Sequence, residues 1–160
     1  MPELIRLTDA ECRWLLAANV VGRVGFDAGG GPRIHPVNYA MDGDAVVLRT
    51  AEGSELVGLA DRARPTEGPT EGPTEAPLVA FEVDHVDYDR HQGWSVLAVG
   101  PLDRVVDAGD LDRIAREWSP RPWAAGDREV VLRVAVAELT GRRLGDDWPR
   151  TAGSPVNRTL

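Results

Sequence analysis

The sequence predicts a mainly β, largely antiparallel fold that closes as a small barrel and carries three short helices. Two observations point there and one excludes the main rival. About six strand segments are separated mostly by short Gly- or Asp-rich turns, and hairpins of that kind force antiparallel pairing. One segment, "GWSVLAVGPLDRVVD" (Gly93–Asp107), reads as a long strand with a bend or bulge at Gly100–Pro101, as barrel strands do. No GxGxxG motif follows a strand, so a doubly wound parallel sheet is not expected.

Each element has a local reason. "LTDAECRWLLAANVV" opens with a capping box, Thr8 to Glu11, and Leu15, Leu16 and Ala18 make an apolar face; a helix is expected from about Asp9 to Ala18. "VGRVGFD" alternates as a strand does, and "AGGGP" turns the chain. "RIHPVNYAM" is the second strand, "MDGDA" an Asp-Gly hairpin, and "AVVLRT" the third strand. "GSELVGLAD" reads as a short helix capped by Ser54. "PLVAFEVD" is a strand, followed by the long one already quoted. "DLDRIAREW" puts Leu111, Ile114, Ala115 and Trp118 on one helical face. "EVVLRVAVAELTGRRL" is expected as one closing strand.

A single domain over 1–145 is expected, with a loose tail at 146–160. "PTEGPTEGPTEAP", Pro65–Pro77, repeats a four-residue unit. Its prolines donate no backbone hydrogen bond, and its Thr, Glu and Gly offer nothing to bury. It reads as an acidic surface insertion at about 62–77, tolerated because loop-closure entropy grows slowly with length.

Bulk composition excludes several functions. The net charge is −8, which argues against gripping a nucleic-acid backbone. The apolar runs fall far short of the roughly 20 residues that cross a bilayer, so no membrane partner is expected. All 18 basic residues are Arg. Without Lys there is no Schiff base and no Walker-type loop, and any bound anion must meet Arg forks, hydroxyls and backbone N–H groups. A lone Cys12 and no apolar leader fit a reducing cytoplasm. Cys12 lies within the first helix and no GxSxG occurs, so nucleophilic catalysis has no support. "DHVDYDRH" gathers Asp84, His85, Asp87, Asp89 and His91; we read it as a solvated turn, and no metal site is assigned.

Five stretches carry a resemblance: "GRVGF" (Gly22–Phe26), "HPVNYAMDGDAVVLRTAEGSEL" (His35–Leu56), "FEVDHVD" (Phe81–Asp87), "GWSVLAVG" (Gly93–Gly100) and "TGRRL" (Thr140–Leu144). In this order the chain resembles the pyridoxamine 5′-phosphate oxidase-like flavoproteins, the FMN-binding split-barrel family, over about Leu7–Leu144. The resemblance implies a split β-barrel homodimer with FMN in two clefts between subunits; a deazaflavin coenzyme is the alternative. His35, Pro36, Val37 and Asn38 would lie along the flavin ring. Arg49 and Thr50 would reach the ribityl phosphate, with Ser54 at the phosphate itself. Trp94 and Ser95 would contact the flavin from the next long strand, while Trp123 and Arg142 would close the cleft. The expected reaction is hydride transfer between the flavin and a small-molecule substrate, with a nicotinamide nucleotide as the reductant. The alternative is a cofactor-binding or sequestering module without turnover. No catalytic acid or base is assigned, although His35 is the best proton donor on offer.

Two departures from the family pattern stand out. A basic residue often follows the helix-capping Ser or Thr, whereas this chain has Glu55. An acid there repels phosphate, and compensation would have to come from Arg62, Arg64, Arg142 or Arg143. The C-terminal stretch "TGRRLGDDWP" also lacks the His of the true oxidases, so vitamin B6 oxidation is not expected.

Overall fold

The computed structural model of the chain describes residues 4–62, 75–117, 127 and 129–145. In chain order its elements are β1 (Leu4–Arg6), α1 (Asp9–Ala18), β2 (Val21–Asp27), β3 (Pro32–Asp42), β4 (Ala45–Thr50), α2 (Glu55–Arg62), β5 (Leu78–Asp87), β6 (Gln92–Arg104), α3 (Ala108–Glu117), β7 (Val130–Ala135) and β8 (Glu138–Leu144). The helix-start signal works as read. Glu11 N donates to Thr8 Oγ1 at 3.3 Å, and Thr8 N donates to Glu11 Oε2 at 2.8 Å. Two donors that a helix start leaves open are thereby satisfied. The Asp-Gly turn between β3 and β4 holds Gly43 at φ 60, a conformation that glycine adopts without strain.

Every strand pairing is antiparallel. The order is β1-β8-β6-β5-β2-β3-β4-β7, and β7 pairs again with β6, so six strands close a barrel with β8 and β1 added outside the ring. Two strands turn its corners. β3 pairs with β2 up to Asn38 and with β4 from Tyr39. β6 pairs with β8 up to Val99 and with β7 from Leu102. The bend expected at Gly100–Pro101 therefore marks where β6 changes partner.

Two expectations are corrected. Residues 129–144 are not one strand, because β7 ends at Ala135 and β8 begins at Glu138. The two halves serve different parts of β6, and Ala137 N donates to Val99 O at 2.9 Å at the crossing. No Gly, Pro, Asn or Asp marks this junction; the only trace of it is a change of phase, with Leu132, Val134 and Val136 alternating inward and then Leu139 one position out of step. β1 was also missed; three residues are too few to show a period, and the strand exists by pairing Leu4 with Leu144.

The barrel interior is filled by Val24, Phe26, Tyr39, Leu48, Phe81, Val83, Val96, Ala98 and Leu132, with α1 and α2 adding Leu16, Leu56 and Val57. Tyr39 is buried with its hydroxyl donating to Leu16 O at 2.6 Å. Outside the ring α3 covers Ala40, Val47 and Val131 with Ile114 and Leu111. Of the expected face, Ala115 is exposed, and Trp118 lies outside the described residues, as does the tail from 146. Arg62 belongs to α2, and Pro77 O accepts from Leu102 N at 2.8 Å; residues 63–74 of the insertion lie outside the described residues.

An ion network clamps α3 to the barrel. Asp42 accepts from Arg113 Nη1 and Nη2 and from Arg133 Nη2 at 3.4 Å. Asp110 accepts from the same two arginines at 3.0 and 3.2 Å. The Arg113 hydrogen bonds hold the Asp42 carboxyl below its ordinary range. A depressed carboxyl contributes stability above its unfolded pKa and loses it as pH falls through the lower folded value. We therefore expect Asp42→Asn to cost about 2 kcal/mol at neutral pH and markedly less at about pH 3. Urea unfolding of both proteins at both pH values checks this. A deficit that stays constant on acidification would mean the carboxylate charge is not what matters.

Candidate functional site

β4 delivers Arg49 and Thr50 to a turn that starts α2. Thr50 points inward and is buried, while Arg49 is half-buried on the outer side opposite Val131. Ser54 N donates to Ala51 O at 3.1 Å, and Ser54 Oγ accepts from Val57 N at 3.3 Å. The expected cap is thus present, and the hydroxyl proton of Ser54 remains available to a ligand. Leu56, Val57, Leu59 and Ala60 anchor the helix in the core. Glu55 stays exposed, with Oε1 at 3.9 Å from Arg33 Nε and Oε2 at 3.7 Å from His35 Nε2. The His35 ring meets Phe26 edge-on, with centroids 5.0 Å apart.

The charge beside Glu55 is therefore Arg33, which sequence reasoning did not name. Arg62 turns away and donates twice to Ala28 O at 3.2 Å. Arg143 donates to Gly145 O, Arg142 sits on β8, and Arg64 lies outside the described residues. Arg33 reaches Glu55 because the β2–β3 hairpin sets Phe26 opposite Arg33 and Val24 opposite His35. That register was the only available signal: with His35 taken as a ligand, the residue two before it shares its face.

Strand alternation splits the expected site residues into two sets. His35, Val37, Thr50 and Trp94 lie on the core side; Trp94 is 4% exposed and packs in the main cluster, near-parallel to His85 at 6.5 Å. Pro36, Asn38, Arg49, Ser95 and Arg142 lie on the outer side. Three of these fall in one cross-strand row. Arg142 pairs with Ser95 and Ser95 with Asp84. Extending Arg23↔Glu82 by two residues brings Val21 beside Asp84, and Val21 pairs with Asn38. Arg49 lies one residue past the β3–β4 pairing, which begins at Tyr39↔Leu48, and is paired with Val131 instead. At about 4.8 Å per strand, Ser95 and Asn38 stand about 14 Å apart across the sheet. Trp123 lies outside the described residues.

The same outer face carries Ile34, Leu78, Leu97 and Val21, which are 70%, 68%, 40% and 37% exposed. Among them Arg23 bridges Glu82 at 2.9 Å and Asp84 at 2.8 Å. Burial, then the Asp84 charge, pushes the Glu82 carboxyl up against the pull of Arg23. Elsewhere the chemistry is sparse. Burial, then Asp9 and Glu11, raises the Cys12 thiol, so it is no thiolate nucleophile. Asp87 closes the β5–β6 turn by accepting from Asp89 N and Arg90 N. Among the described residues no three His, Cys, Asp or Glu side chains are grouped to hold a metal, and no helix is long and apolar enough to cross a membrane.

Residues 8–143 match the family described as pyridoxamine 5′-phosphate oxidase. An uncharacterized protein of Mycobacterium tuberculosis is 30% identical over 145 residues, which cover 91% of this chain and 88% of that one. The FAD binding protein of Mycobacterium smegmatis has a similar structure, with TM-score 0.65 and 29% identity over 87% of this chain and 97% of its own. A candidate pyridoxamine 5′-phosphate oxidase of Corynebacterium glutamicum superposes with TM-score 0.70 at 24% identity, covering 93% and 98% of the two chains, and shares the fold.

Proposed function

This chain belongs to the pyridoxamine 5′-phosphate oxidase family, and from that premise we propose that it is a homodimeric flavoprotein transferring hydride between its flavin and a small organic substrate. The observation that carries the reading is the outer-face row Arg142–Ser95–Asp84–Val21–Asn38, set on a sheet face rich in exposed apolar side chains. A second copy docked on that face would bury Ile34, Leu78 and Leu97 and wall the row into a cleft, which favours association near the usual apolar coefficient of about 25 cal/mol per Å².

The residues fit a flavin nucleotide. Arg49 offers a guanidinium fork and Ser54 an O–H donor to phosphate. Asn38 and Ser95 offer polar tips beside apolar walls, the composition of a planar-ligand site. When bound, the flavin supplies the hydride chemistry, and the protein's part is to bind it, orient it and exclude water. His35, partly exposed at the β4–α2 junction, is the group placed to hold a proton there. FMN is the cofactor the family resemblance implies. The Mycobacterium smegmatis relative, named for FAD, supports a flavin without choosing between them. A nicotinamide nucleotide is the proposed reductant.

The test is the visible spectrum of the freshly purified protein, followed by mass spectrometry of whatever heat releases. Flavin bands at about one per chain are expected, together with nicotinamide oxidation when an acceptor screen is added. A colourless protein that refuses added FMN and FAD would sink the reading.

A further inference from the structure

Residues 51–53, the turn between β4 and α2, are exposed at every position, and a Cβ at Gly53 would have nothing within 4 Å. Packing therefore does not fix this turn, although it carries Ser54 to the start of α2. A hydrogen bond from Ser54 N to Ala51 O closes it at 3.1 Å. A tie to the barrel comes from Arg104. Its Nη1 donates to Glu52 Oε1 at 2.8 Å and its Nη2 to Glu52 Oε2 at 2.7 Å, a bidentate fork. Nη1 also donates to Asp61 Oδ2 at 3.1 Å, in the last turn of α2. The Arg104 hydrogen bonds hold the Glu52 carboxyl below its ordinary range, so it is ionised and tied at neutral pH.

Arg104 is a fixed point. It ends β6, where it pairs with Leu132 of β7 in the stretch that closes the ring. One guanidinium thus grips the turn before α2 and the last turn of α2 at once. Without it the turn is free to swing at Gly53, and the Ser54 hydroxyl and the N–H groups beside it lose their common aim. A bound phosphate needs several donors aimed at one point, and a small displacement weakens them together. We propose, resting on the flavin reading, that Arg104 is a positioning residue for the phosphate end of the site: its fork on Glu52 fixes the turn that presents Ser54. Glu52 then favours phosphate binding in spite of its negative charge.

Dissociation constants of FMN, FAD and riboflavin for apoprotein, read by quenching of flavin fluorescence at one ionic strength, test this. Wild type, Arg104→Met, Glu52→Ala and the double variant are compared, with thermal unfolding followed by circular dichroism. Each single change should weaken FMN and FAD about fivefold and leave riboflavin, which has no phosphate, unchanged. The double variant should bind no more weakly than either single one, because both changes remove the same tie. Glu52 lies on an exposed turn, so Glu52→Ala should fold normally and carries the test if Arg104→Met does not fold. Were Glu52 only a charge near the phosphate, Glu52→Ala would tighten FMN and FAD, and that result would overturn the proposal. An equal loss for riboflavin, or no change in any of the three, would overturn it too while leaving a flavin site standing. If wild type takes up no flavin at all, the flavin reading itself falls and the role of Arg104 falls with it.

Discussion

Gly100→Ala should abolish folding. A Cβ at Gly100 would lie 1.8 Å from Ala135 O, 2.8 Å from Ala135 C and 3.3 Å from Ala137 N. These are backbone atoms of the β7–β8 junction, which cannot rotate aside as a side chain would. Relief would need β6 to separate from the junction, breaking the Ala137 N to Val99 O bond and the Leu102↔Val134 pairing that closes the ring. We expect a loss above about 3 kcal/mol, enough to unfold a domain of ordinary stability. Circular dichroism and urea unfolding check it, with Gly58→Ala as the matched control. Gly58 is in α2 with nothing within 4 Å of its Cβ position, so alanine there should stabilise by about 0.5–1 kcal/mol. A Gly100→Ala protein that unfolds with wild-type midpoint would show that β6 does not cross so tightly.

The second large effect concerns the uncovered sheet face. The double change Ile34→Asp and Leu97→Asp should leave the barrel folded and turn a dimer into a monomer. Both side chains are exposed in the single chain, so neither is part of the core that holds it together. In a self-complementary contact each substitution counts twice, since the same face meets itself. Four desolvated carboxylates would then weaken association by at least about a hundredfold. Light scattering should report half the mass, thermal unfolding should remain cooperative, and flavin content should fall with the dimer. A variant that stays dimeric would move the interface elsewhere. A monomer retaining full flavin would show that one chain makes the whole site.

Much of this was legible in the residues because the signals were local. The capping box at Thr8–Glu11, the Asp-Gly turn and the Ser54 cap are satisfied by hydrogen bonds spanning a few residues. Arg33 beside Glu55 was not legible, since 22 positions separate them and only the hairpin register and the seating of α2 bring them together. The break between β7 and β8 was hidden for a related reason. No turn residue interrupts the chain between them, and the one-residue change of phase at Ala137–Glu138 acquires its meaning only once β7 is seen to be mostly buried in the ring and β8 to lie outside it.

The sequence by itself determined the antiparallel class, the starts of α1 and α2 and the bend at Gly100, because each is written in spacing, capping or turn chemistry, and it carried the family resemblance in the order of five short stretches; α3 begins two residues before the stretch read as helical. Tertiary structure alone decided that Trp94 faces the core while Ser95 faces out, and that Arg142, Ser95 and Asn38 share one row. Faces and rows follow from strand register, and register is fixed by packing between segments far apart in the chain.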